Sequence, residues 1–190
     1  MKSKFSLPLK VTVALSMLSA ISIILGKYLA FGVGEVLRFS FENLPIIFTG
    51  IAFGPIAGML VGVCADLIGC VLVGYTINPL VTVGAALIGL VSGLAYKLFS
   101  ALGTSRTLGI VFSVAAAHIV GSVAVKTVGL AMYYTMPIPV LMLWRALNYL
   151  IVGALEAVIL IPLLKNRALL LQIGAMKKSG NRRGGTKNEL

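Results

Sequence analysis

Six apolar segments, at roughly 11–30, 39–53, 55–73, 80–98, 108–134 and 138–164, make up most of this 190-residue chain. A helix needs about 20 apolar residues to cross the hydrocarbon core of a bilayer. Between the segments stand turn signals: Gly32 and Gly34, Gly54-Pro55, the stretch from Gly74 to Pro79, the polar run Gly103 to Arg106, and Pro137 with Pro139. A soluble fold is excluded, because only 11% of the residues are charged and the mean hydropathy is +1.05, whereas an ordinary soluble domain carries about 25% charged residues. The chain therefore reads as an all-α integral membrane protein with six transmembrane helices. Segment 39–53 would span only about 23 Å as a helix, so its hairpin with 55–73 is expected to turn within the bilayer. The first segment runs from Val11 to Leu25 without an A-x-A cleavage site, which marks a retained helix rather than a signal peptide.

The placement of charge orients the chain. Lys2, Lys4 and Lys10 precede the first segment, and Lys165, Arg167, Lys177, Lys178, Arg182, Arg183 and Lys187 follow the last. Adding Lys97 and Arg106, twelve of the sixteen basic residues fall on the side of the termini. The positive-inside rule then puts both termini in the cytoplasm and the chain in the cell membrane. The division expected is a six-helix membrane domain at 1–165 and a basic, partly disordered tail at 166–190. The net charge of +11 does not indicate nucleic acid, since no aromatic residue is interleaved with the basic tail. Cys64 and Cys70 sit in an apolar run and read as free buried thiols, with no metal site around them. No cofactor is expected, and the P-loop pattern G-x-x-x-x-G-K-[ST] is absent, so any transport must draw on ion coupling or an external motor.

Four basic residues remain. Lys27 and Arg38 flank the first outer loop, where snorkelling to the interface accounts for them. Lys126, Arg145 and Asp66 each lie seven or eight residues from the outer end of their segments, about 10–12 Å deep. A charge at the centre of a membrane helix costs about 2.5–3.5 kcal/mol by insertion scales, so the three should face one another or a polar cavity. One reading is an Asp66–Lys126 or Asp66–Arg145 pair that simply holds helices together. The other is an outward-facing pocket for an anionic ligand that also offers hydrogen-bond donors. Arg145, Asn148 and Tyr149 share one helical face by their i, i+3, i+4 spacing. Tyr75 and Trp144 belong to a set of aromatics near the outer ends that either form an interfacial belt or stack on a planar ligand. Deeper, His118 and Glu156 can pair or relay protons. Thr12, Ser16 and Ala20 recur every four residues on the first helix, a small-residue stripe that suits close helix packing or a partner protein. A rival class is a membrane enzyme acting on lipid through Asp66, His118 and Glu156, although no spacing such as H-E-x-x-H occurs.

The run LRFSFENLPIIFTGIAFGPIAGMLVGVCADLIGCVLVGYTINPLVTVGAALIGLVSGLAYK, with KTVGLAMYY and LWRALNYLIVGALE further on, resembles the folate-family substrate-binding subunit, or S component, of energy-coupling factor (ECF) vitamin transporters. The resemblance reaches from the first helix to Lys165. It implies a non-enzymatic subunit that binds folate from outside and works with a transmembrane coupling protein and two cytoplasmic ATPases. It also implies that the helix-1 stripe, here Thr12, Ser16 and Ala20, docks the coupling protein. On chemical grounds Asp66 would then accept from the pterin, and Lys126 and Arg145 would donate to anionic groups. Asn148 and Tyr149 would complete the polar edge, with Tyr75 and Trp144 stacking. Gly32, Gly34 and Gly74 would lie in gating loops. Riboflavin or a queuosine precursor is the alternative cargo.

Overall fold

A computed structural model describes residues 8–33, 37–134 and 137–176. Helix α1, Leu9–Ile23, widens into a π turn over Ile24–Tyr28, and a two-stranded antiparallel hairpin comes next, β1 (Phe31–Val33) with β2 (Leu37–Phe39). Then come α2 (Asn43–Ala52), α3 (Pro55–Val73) and α4 (Pro79–Ala101). A long helix is built of α5 (Arg106–Ala117), a second π turn (His118–Val125) and α6 (Lys126–Tyr134), and is succeeded by α7 (Ile138–Lys165) and the short α8 (Arg167–Gln172). Among the described residues, five helices are long and apolar enough to cross a membrane: Leu9–Tyr28, Pro55–Val73, Pro79–Ala101, Arg106–Met132 and Ile138–Lys165. The expected sixth segment, 39–53, holds only ten helical residues, because its first residues go into β2 and the turn after it.

The boundaries obey local chemistry. Gly54 takes φ +105°, which a side chain would resist, and Pro55 opens α3 where its missing N–H costs nothing. Gly74 ends α3 in the left-handed conformation at φ +70°. Asn78 caps α4 by accepting from Leu80 N at 3.0 Å, while its amide donates to Gly129 O at 2.9 Å and so ties the start of α4 to α6. At the other end of the bundle, Arg106 Nη2 donates to Leu164 O at 2.7 Å, joining α5 to α7.

Helix α4 is the spine. A Cβ on Gly89 would run into the backbone of Gly58 on α3, and one on Gly93 would meet Gly50 O on α2 at 2.5 Å. Helices α2, α3 and α4 therefore pack backbone to backbone, which favours dispersion contacts where lipid supplies no hydrophobic drive. The apolar core gathers Ile47, Ile88, Ile110, Val114, Leu160 and Leu164, and Leu170 of α8 joins it, so packed structure continues past residue 165. Residues 177–190, with most of the basic tail, and Gly34 lie outside the described residues. Cys70 is buried as expected. Cys64 is not: it sits on an exposed face of α3, and both thiols are free.

Candidate binding site

A cleft opens among the π turn of α1, the start of α2, and α3, α4 and α6. Its polar lining comprises Ser22, Lys27, Glu42, Asp66 and Lys126. Lys126 is 4% exposed, and an amine at that depth requires a counter-charge. Glu42 supplies it: Lys126 Nζ donates to Glu42 Oε1 at 2.8 Å. Ser22 Oγ holds the backbone of Glu42 in place, donating to its carbonyl at 2.6 Å. Asp66 accepts from Thr82 Oγ1 at 2.6 Å. Lys27 Nζ lies 3.8 Å from Cys70 Sγ and 5.5 Å from the centre of the Tyr75 ring, within cation–π range.

Three glycines make room for three of these side chains. A Cβ on Gly26 would stand 2.7 Å from Glu42 Cβ, one on Gly69 would stand 2.9 Å from Lys27 Cε, and one on Gly84 would overlap Lys126 Cγ. Both lysines arrive from π-helical stretches, Lys27 within the first and Lys126 directly after the second. Such widened turns re-aim side chains and recur at functional sites. The space enclosed within the cleft is about 10 Å³, room for about one water molecule and far below the ~300–1,000 Å³ usual for small-molecule pockets.

A second polar group adjoins Lys126 through the same π turn. His118 Nε2 is 2.6 Å from Glu156 Oε2, and His118 Nδ1 is 3.1 Å from Ser122 Oγ. The His118 ring stacks on Tyr149 with centroids 4.8 Å apart. On Tyr149 also sits Arg145, 5.3 Å from the ring centre, with Nη2 donating to the phenol oxygen at 3.4 Å. Arg145 Nη2 and Nε both donate to Ser122 O, at 3.0 and 3.3 Å, which leaves Nη1 without a protein partner among the described residues. Asn148 is buried on the same helix.

The expected site residues thus divide. Asp66 and Lys126 meet in one cleft, but they do not pair: Lys126 takes Glu42 and Asp66 takes Thr82. Arg145 pairs with neither and joins Tyr149 and Ser122. His118 and Glu156 do form a pair. Tyr75 and Trp144 are 53% and 49% exposed, and Lys27, read as a snorkelling residue, lines the cleft instead. Thr12, Ser16 and Ala20 all lie exposed on α1 beside Val13 and Met17. Sequence reasoning missed Glu42. Its signal was present, since only five acids occur in the chain and this one opens the Glu42-Asn43-Leu44-Pro45 run ahead of an apolar helix.

No curated protein matches the chain in sequence. Among solved structures, FolT bound with folic acid superposes with a TM-score of 0.67 at 17% identity, covering 85% of this chain and 98% of that one. An S component of a bacterial ECF transporter gives 0.63 at 21% identity, covering 85% and 97%. The S component for biotin from an ECF-type ABC transporter gives 0.62 at 18% identity, covering 82% and 91%. The family model for the substrate-specific component of ECF transporters matches residues 10–164. The chain belongs to that family: it is a membrane-embedded, substrate-binding transporter subunit and not an enzyme.

Proposed function

We propose that this S component captures folate from the outer side of the cell membrane, with both termini in the cytoplasm, and delivers it to a transmembrane coupling protein driven by two cytoplasmic ATPases. The observation that carries the reading is the pairing of unlike polar groups around one small space. Asp66 and Glu42 offer acceptors to the amino and ring N–H groups of a pterin, while Lys126 offers a donor to its carbonyl; Nη1 of Arg145, in the adjoining polar group outside the cleft lining, is a donor for a carboxylate once the cleft widens. Motifs that resemble the folate family run through the same helices, and one structural neighbour is a folate-bound S component. A ligand of folate's size needs the cleft to widen. The exposed stripe of Thr12, Ser16 and Ala20 suits the coupling protein, because small residues let a second helix approach closely.

The single tryptophan, Trp144, is next to Arg145 in sequence and reports binding. Full-length protein in detergent is titrated with folate, riboflavin and biotin while Trp144 emission is monitored. A saturable change with folate alone is expected. A response to riboflavin or biotin without one to folate overturns the cargo.

A further inference from the structure

His118 and Glu156 are buried in the bundle, and neither lines the cleft. Their contacts are nonetheless directed at residues that the binding reading uses. One imidazole nitrogen meets Glu156, the other meets Ser122 Oγ, and the ring face carries Tyr149. Tyr149 and the Ser122 carbonyl are in turn the surfaces on which Arg145 rests. Gly153 leaves the space for the imidazole, since a Cβ there would stand 3.1 Å from His118 Cδ2. The other carboxylate oxygen, Glu156 Oε1, is buried with no hydrogen-bond partner among the described residues. Leaving a buried carboxylate half satisfied is costly, and an apolar pair of similar volume would pack the site as well or better. Helix packing therefore does not account for the pair.

We propose that His118, held by Glu156, is a positioning residue: it fixes Tyr149 and Ser122, and through them it sets the guanidinium of Arg145 for contact with an anionic group of the transported molecule. This rests on the reading of Arg145 as a ligand contact. It needs neither His118 nor Glu156 to touch ligand, in keeping with their burial.

The test is a double-mutant cycle on the full chain in detergent, with folate, riboflavin and biotin as probes. H118F/E156L keeps a ring against Tyr149 and restores volume while removing the polar links. The expected result is a thermal midpoint at or above that of the parent protein and an affinity loss of about tenfold or more. In an R145Q background the same two substitutions should change affinity less than about twofold, because the effects of coupled residues fail to add whereas those of independent residues add. An equal loss in both backgrounds marks a structural role and overturns the proposal, as does no loss in the parent background. Should H118F/E156L not fold, S122A removes only the Nδ1 link and goes through the same cycle. If folate gives no signal but riboflavin or biotin does, the cargo falls, and the cycle is run with the vitamin that binds. A crystal structure of the variant supplies a ligand-free readout, in which Arg145 still donating to Ser122 O refutes the positioning role.

Discussion

In the cleft, Lys126 is buried while its partner Glu42 keeps 26% of its side chain exposed; in the second group, His118 and Glu156 have side chains 4% and 0% exposed. Both pairs sit at hydrogen-bonding distance in an apolar bundle. They differ in what they can exchange. An open pair trades part of its mutual attraction for contact with solvent, so under the proposed binding reading a molecule entering the cleft takes over Glu42's place on Lys126. A sealed pair has no such alternative, and its worth lies in the geometry that it imposes.

The largest effect expected is on the sealed side. Glu156→Ala removes the carboxylate that meets His118 Nε2; an unsatisfied buried partner, about 1–3 kcal/mol, together with the cavity left by the truncated side chain, about 2 kcal/mol, gives an expected loss of about 3–5 kcal/mol, and urea or thermal unfolding in detergent measures it. A cost no larger than that of Glu42→Ala erases the distinction between the two pairs. Glu42→Ala should come next, at about 1.5–3 kcal/mol, the range of a hydrogen bond to a charged group, because it takes a partly exposed carboxylate away from the buried amine of Lys126. The reverse substitution, Lys126→Met, should cost less stability, since Glu42 has water to turn to. It should, however, reduce ligand affinity by more than about tenfold, the equivalent of 1.4 kcal/mol.

Gly84→Ala sharpens the comparison, since its Cβ falls on the stem of Lys126. Affinity should drop several-fold by titration, whereas Gly109→Ala, whose Cβ meets only ordinary contacts with Tyr96 and Phe99, should leave binding unchanged. Thr82→Ala removes one bond to Asp66, worth about 1.5–3 kcal/mol for a hydrogen bond to a charged group. Because both residues are partly exposed, the lower end is expected for the stability loss. The smallest effect is that of Trp144→Phe, read by calorimetry rather than fluorescence: a half-exposed ring kept aromatic should change affinity by less than about twofold, equivalent to 0.4 kcal/mol.

Much of this was legible in the residues. Segment length and hydropathy mark six apolar segments, five of which are helices long enough to cross, and Gly54-Pro55 and Asn78-Pro79 mark their ends, because these signals act through local backbone preferences. The depth count brought Asp66 and Lys126 to one level, since rise per residue is constant along a helix. Pairing was not legible. A regular count takes 3.6 residues per turn, and each π turn rotates the helix beyond it, so the directions of Lys27 and Lys126 escaped such a count. Glu42 escaped because segment 39–53 looked like a spanning helix, whereas the chain spends Leu37–Phe39 on a strand and begins α2 only at Asn43.

By itself the sequence determined the solvent and the class of element, both of which depend on residue type and position along one segment. Tertiary structure decided which acid neutralises which base, that Arg145 rests on Tyr149 and a carbonyl rather than on Asp66, and that α4 binds α2 and α3 glycine to glycine. These depend on rotation about helix axes and on the approach of segments distant in the chain. A Coulomb partner is chosen by separations of an ångström or two, and no local pattern encodes them.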